Sequence, residues 1–211
     1  MDDVLGVCAD AEIRVTGLHT HIGSMLFDVE PYERALEFLL GWAERIETAE
    51  SVDIGGGMGI DYGDEGRDFD FGRLAAALEG RLVEFEERTG RKLELVVECG
   101  RWVVGRCGVM VASVTAVREA GNRVYVGVDC PFTQFIRPAL YGAQHRVRLV
   151  GEGVDGRREV VCCVVGNACE TTDVLADGVG LPEPAVGDFV VFEDAGAYCF
   201  SMASCYNGRP L

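Results

Sequence analysis

Six short segments place reactive side chains directly after apolar runs, where a loop can present them to a ligand. In His19-Thr20-His21-Ile22-Gly23-Ser24, an imidazole and a hydroxyl stand at the end of a strand-like run. Zinc on His19 and His21 is not expected, because two ligands without a third leave a tetrahedral site incomplete. Asp53-Ile54-Gly55-Gly56-Gly57-Met58-Gly59-Ile60 follows a second apolar run. Consecutive glycines let backbone amides approach an anion, so Gly55, Gly56 and Gly57 suit a phosphate cradle; a tight turn without a ligand is the alternative. The run is no dinucleotide fingerprint, since Ile60 stands at the last glycine position, and no P-loop, since no lysine is near. Glu98-Cys99-Gly100-Arg101 offers a carboxylate and a guanidinium three residues apart, able to hold a protonated ring nitrogen and an anion together or simply to form a surface ion pair. Arg137-Pro138-Ala139-Leu140-Tyr141, Cys169-Glu170-Thr171-Thr172-Asp173 and Asp194-Ala195-Gly196-Ala197-Tyr198 complete the set.

The elements that must position these groups change character along the chain. Residues 13–22 read as a strand, residues 29–49 as a helix after Pro31, and residues 51–54 as a short buried strand. Asp70 caps a second helix that carries Phe71, Leu74, Leu78, Leu82 and Phe85 on one face and ends at Thr89-Gly90, and residues 93–98 form a third strand. Strand–helix alternation implies parallel pairing, as in an open α/β sheet or part of a (β/α) barrel; three strands cannot close one. In a barrel the strand C-termini build the active site, and the first three segments lie there. Beyond residue 104 the helical period gives way to β-rich runs at 108–117, 123–128, 146–150, 159–165 and 188–193. The expected fold is therefore α/β: a partial (β/α)8 barrel over residues 1–104, then a mostly antiparallel β domain over 105–211.

Composition narrows the function. A net charge of −16 argues against a nucleic-acid partner, which needs clustered positive charge. No run reaches the roughly 18 to 20 apolar residues of a membrane-spanning helix, and the acidic start is unlike a secretory signal, so a cytoplasmic protein is expected. The nine cysteines include no C-x-x-C pair, and most are expected to be small buried hydrophobes. Eighteen of the 19 basic residues are arginine, leaving Lys92 as the sole lysine.

In their order and spacing the six segments resemble those of the fold-type III pyridoxal-phosphate decarboxylases of the ornithine, diaminopimelate and arginine group, most closely the diaminopimelate decarboxylase type. The resemblance covers nearly the whole chain. It implies pyridoxal 5′-phosphate as cofactor, with His21 stacked on the pyridine ring, Ser24, Gly57, Gly100 and Arg101 around the phosphate, and Tyr198 completing that pocket. Glu98 would keep the pyridine nitrogen protonated, and Cys169 would protonate the carbanion left after carbon dioxide departs. Arg101, Arg137 and Tyr141 would hold a substrate carboxylate and Glu170 the distal ammonium of a small amino-acid substrate, most closely meso-diaminopimelate. Cys169 and Glu170 would reach into a partner subunit's site, implying a homodimer with shared sites; no metal is expected, since His19 and His21 have no third ligand nearby.

Three departures accompany the resemblance. Cys99 stands where the family has proline, residues 129–134 are unusual, and Gly142 stands where the family has aspartate. Family members also carry an N-terminal half-barrel with the lysine that bonds the cofactor. Lys92 precedes the third strand, whose roughly 3.3 Å rise per residue puts it some 15 Å from the Glu98 end. The chain by itself is therefore expected not to catalyse decarboxylation. Decarboxylation of ornithine, arginine or a siderophore intermediate, or a lysine-less partner of a full-length enzyme, are the alternatives. Racemisation is disfavoured, because no tyrosine near Cys169 supplies a second base.

Overall fold

The structure is a computed structural model that describes residues 1–63 and 65–208. Asp64 and the last three residues, Arg209, Pro210 and Leu211, lie outside the described residues. The chain divides into two compact units, residues 1–60 with 67–100, and residues 61–66 with 101–211.

In the first unit α1 (Asp2–Asp10) precedes β1 (Gly17–His19), α2 (Glu30–Arg45), β2 (Ser51–Asp53), α3 (Phe71–Thr89) and β3 (Glu94–Val96). The three strands pair in parallel in the order β1-β2-β3. Leu18 and Val52 of the strands and Tyr32, Leu36, Leu39, Leu78 and Phe85 of the helices are buried, which is the face the 3.6-residue period marks. Pro31 sits in the first turn of α2, where its missing N–H removes no helical hydrogen bond. At the other end of α2, Arg91 donates to the carbonyls of Ala43, Ile46 and Ala49 at 2.7, 3.1 and 2.9 Å, tying the last turn of the helix to the loop that follows it. The Asp70 carboxylate accepts from the Arg73 N–H at 2.8 Å, and Gly90 closes α3 in the left-handed region at φ 69°, as its sequence predicts.

The second unit carries α4 (Gly100–Val104), whose first residue belongs to the first unit, then β4 (Met110–Ala120), β5 (Arg123–Val128), α5 (Arg137–Tyr141), β6 (Val147–Val150), β7 (Glu159–Val165), β8 (Val174–Pro182) and β9 (Phe189–Phe192). Its strands form one sheet in the order β6-β9-β4-β5-β7-β8, antiparallel except for β5 with β7. The edge strands β6 and β8 approach each other, so the sheet is nearly closed around Val126, Val128, Phe135, Cys162, Val164, Val190 and Phe192. The α/β expectation is met: parallel strands with crossover helices, then a mostly antiparallel sheet.

Several local expectations differ. The first strand is three residues long rather than ten, because only Gly17–His19 finds a partner on β2. Strand β8 was not foreseen, since Asp177, Gly178, Gly180 and Pro182 interrupt its apolar pattern. All nine cysteines are free, and four are buried (Cys130, Cys162, Cys163 and Cys199), fewer than the expected majority. Among the described residues no helix is long and apolar enough to cross a membrane.

Candidate active site

In the first unit the sequence-derived groups converge at the C-terminal ends of β1, β2 and β3. The glycine run is wedged between the segments that follow its two neighbours. A Cβ on Gly55 would lie 2.5 Å from the Thr20 carbonyl oxygen, on Gly56 2.1 Å from that of Glu98, and on Gly57 2.0 Å from that of Gly23. Close backbone packing therefore requires these glycines whether or not an anion binds. The Gly55 amide donates to the Asp53 carboxylate at 2.8 Å and the Gly56 amide to His21 Nδ1 at 3.3 Å. His21 thus accepts at Nδ1. Of the run only the Gly57 N–H has no acceptor among the described residues, and Ser24 lies beside Gly57. Gly100, by contrast, has open space at its Cβ position, with its amide on the Glu98 carbonyl at 2.8 Å.

Glu98 is exposed at this strand end, its Oε2 3.2 Å from His19 Nε2. Sequence reasoning set aside zinc on His19 and His21; the structure groups His19 with Asp53 and Glu98, their ligand-type atoms within 4.8 Å of one another. Hydrogen bonds account for this cluster: Asp53 Oδ1 serves the Gly55 amide, and Glu98 serves His19.

In the second unit two arginines share one aromatic ring. Arg101 Nη1 donates to the Tyr62 hydroxyl at 2.8 Å, its guanidinium lies 4.4 Å over the Tyr198 ring, and Arg137 lies 4.0 Å over the Tyr62 ring. Arg137, at the start of α5, is buried at 5% exposure, and burial pulls its pKa down from the ordinary value. Tyr198 adopts φ 58°, a left-handed conformation that costs a non-glycine residue about 1 kcal/mol or more and is held by its surroundings. Those surroundings are tight: the Ala195 and Gly196 amides donate to the Gly108 and Gly105 carbonyls at 2.7 and 2.9 Å, and a Cβ on Gly196 would stand 1.9 Å from the Val104 carbonyl oxygen. Tyr141 ends α5 and is exposed.

His145 packs against Arg137 and was missed by sequence reasoning, as was Tyr62. Burial pushes the His145 imidazole down to about 4; the Glu193 carbonyl opposes that shift, Arg137 reinforces it, Asp194 opposes it and Arg101 reinforces it. The unfolded chain binds this proton below about pH 6.5 and the folded chain only near 4, so stability should fall by about 3 kcal/mol as pH drops from 6.5 to 4. Urea titrations across that range should show the decline, and His145→Gln should remove most of it. An unchanged slope in the variant would assign the acid sensitivity to other groups.

Cys169 and Glu170 occupy the loop after β7. Within the loop the Thr171 amide donates to the Glu170 carboxylate at 3.0 Å; from farther along the chain Tyr206 donates to Glu170 at 3.1 Å, and Asn207 Nδ2 to the Cys169 carbonyl at 3.5 Å. The loop is shaped by Asp173, buried at 4% exposure, whose carboxylate accepts from the Phe132 and Ala168 amides, each at 2.6 Å. Cys169 itself is exposed.

The pyridoxal-dependent decarboxylase C-terminal sheet domain matches residues 26–196, and the chain belongs to that family. It is 43% identical over 205 residues to diaminopimelate decarboxylase of Archaeoglobus fulgidus, covering 92% of this chain and 46% of the relative. With the diaminopimelate decarboxylase of Methanothermobacter thermautotrophicus it shares 35% identity, covering 99% of this chain and 50% of the relative. A crystal structure of diaminopimelate decarboxylase matches with TM-score 0.92 at 28% identity, covering 100% of this chain and 52% of that one. The M. jannaschii diaminopimelate decarboxylase in complex with L-lysine matches with TM-score 0.86 at 28% identity, covering 98% and 48%. The chain spans about half the length of the curated relatives it matches.

Proposed function

We propose that this chain is part of a pyridoxal-phosphate-dependent carboxy-lyase that converts meso-diaminopimelate to L-lysine and carbon dioxide. The observation that carries the reading is the joint placement of Glu98, His21 and an unpaired Gly57 amide at the ends of three parallel strands, in a chain 43% identical to a diaminopimelate decarboxylase. These groups fit the cofactor's parts. An exposed carboxylate suits a protonated ring nitrogen, an imidazole suits an aromatic face, and an unpaired amide beside a hydroxyl suits a phosphate oxygen.

Pyridoxal phosphate, when bound, supplies the electron sink that accepts the pair left behind as the carboxylate departs. Glu98 accepts the ring N–H and holds that proton in place, with His19 fixing its carboxylate. His21 would offer its ring face, and the Gly57 amide with Ser24 would meet the phosphate; Gly55 and Gly56, their amides held by Asp53 and His21, serve by letting the strand ends pack closely, and the family resemblance adds Gly100, Arg101 and Tyr198 to the phosphate's partners. Arg101, Arg137 and Tyr141 hold a substrate carboxylate, and Glu170 reads the distal ammonium. Cys169 delivers a proton from Sγ to the substrate carbon that lost its carboxylate. Decarboxylation of another amino acid such as ornithine or arginine is the second reading. The Arg-Pro-Ala-Leu-Tyr and Cys-Glu segments favour diaminopimelate.

The enzyme is a homodimer in which Cys169 and Glu170 serve the partner's site, and it resides in the cytoplasm, where its free thiols stay reduced. Pyridoxal phosphate binding to the protein, followed by absorbance, tests the cofactor assignment. Glu98→Gln should alter the bound cofactor's protonation spectrum, and Ser24→Ala should weaken binding. Identical spectra and affinities in both variants and wild type would overturn the assignment.

A further inference from the structure

We propose that His145 is a positioning residue for Arg137, locked as the neutral Nδ1–H tautomer so that its bare Nε2 accepts from the buried guanidinium and aims it at the substrate's carboxylate. The inference rests on the role of Arg137 in the proposed function.

The tautomer follows from the partners. Arg137 Nη1 meets His145 Nε2, and His145 Nδ1 lies 2.7 Å from the Glu193 carbonyl oxygen. A guanidinium only donates and a carbonyl only accepts, so Nε2 must be bare and Nδ1 must carry the hydrogen. Both residues are buried, at 5% and 8% exposure, and the rings of Tyr62 and Phe135 flank the imidazole at 4.9 and 4.7 Å between centroids. The chain turns back to make this contact: Gly142 ends α5 in the left-handed region at φ 62°, and the Gly142 and Ala143 amides return to the Pro138 and Arg137 carbonyls at 3.0 and 3.3 Å.

The choice of a neutral partner has a chemical consequence. Among the described residues Arg137 has no carboxylate counter-ion; its contacts are His145 and the face of Tyr62. A buried cation without an anion is unfavourable, and an arriving carboxylate relieves that cost. An aspartate at position 145 would orient Arg137 equally well but would neutralise it and compete with the ligand. An imidazole that burial holds neutral orients the guanidinium and leaves its charge for the substrate.

The test uses the full chain in solution. Long-range ¹H–¹⁵N correlation of the His145 ring at neutral pH should show Nδ1 protonated and Nε2 bare. An Nε2–H tautomer or an imidazolium would overturn the proposal. L-lysine, added with pyridoxal phosphate and followed through its effect on the guanidinium signals, is the binding probe. His145→Leu should weaken its binding about tenfold or more through the loss of one hydrogen bond to a charged group, whereas His145→Gln, which keeps an acceptor, should stay within about threefold. Loss of binding in Arg137→Ala with none in His145→Leu would overturn the positioning role and leave the proposed function standing. Binding unchanged in Arg137→Ala would overturn the carboxylate role of Arg137 itself.

Discussion

Under the proposed function, Cys169→Ala is expected to lower turnover by about 10²- to 10⁴-fold while leaving the fold and the cofactor spectrum intact, because it removes the proposed general acid and nothing that packs. The thiol is exposed on a loop whose path is set by Asp173 through its bonds to the Phe132 and Ala168 amides, so truncating the side chain leaves those supports in place. Cys107→Ala, at another exposed thiol that donates to the Val103 carbonyl, is the matched control and should change turnover less than about twofold. Cys169→Ser, which keeps a weaker acid at the same position, should recover part of the loss. Turnover in Cys169→Ala equal to that of wild type would remove the thiol from the proton-transfer step. Because Cys169 is assigned to the partner's site, mixing Cys169→Ala with Glu98→Gln protomers should restore a fraction of activity that neither variant has alone.

The second large effect concerns stability. Gly56→Ala should destabilise the first unit by about 3 kcal/mol, since its new methyl would lie 2.1 Å from the Glu98 carbonyl oxygen, which is backbone and cannot swing aside. Gly41→Ala in α2 and Gly80→Ala in α3 go the other way. Both positions are exposed helix interior with nothing within 4 Å of the added carbon, and each should gain about 0.5 to 1 kcal/mol from reduced backbone freedom. Denaturant midpoints of the three variants check the contrast. A Gly56→Ala midpoint as high as wild type would mean that the strand ends are not packed as described.

That contrast also marks how far the sequence could be read. Two strands, at 123–128 and 159–165, have the bounds their apolar runs suggest, and the Asp70 and Gly90 ends of α3 follow from capping chemistry. The glycine run was legible as a place of close approach. What approaches was not: carbonyls of Thr20, Gly23 and Glu98 press on it, which ties the run to the other two strand ends directly. Strand β8 escaped because glycines and an aspartate dilute its pattern, and α1 because none of its residues is buried. The pairing of Arg137 with His145, and the ring of Tyr62 between Arg137 and Arg101, join residues eight to 75 positions apart and leave no local signature. Asp173 illustrates a subtler limit. Its place in the Cys-Glu-x-x-Asp segment was visible, but its task as a buried acceptor for two loop amides emerges only from the fold.

The most direct measurement is the release of labelled carbon dioxide from carboxyl-labelled meso-diaminopimelate by the cellular polypeptide that carries this sequence, supplied with pyridoxal phosphate, with L-ornithine and L-arginine run in parallel. The expected result is carbon dioxide and L-lysine in equal amounts from meso-diaminopimelate, at kcat/KM at least about tenfold above either other substrate, since both lack the second carboxylate that the proposed arginine site would hold. Equal or faster release from ornithine or arginine, or no dependence on pyridoxal phosphate, would contradict it.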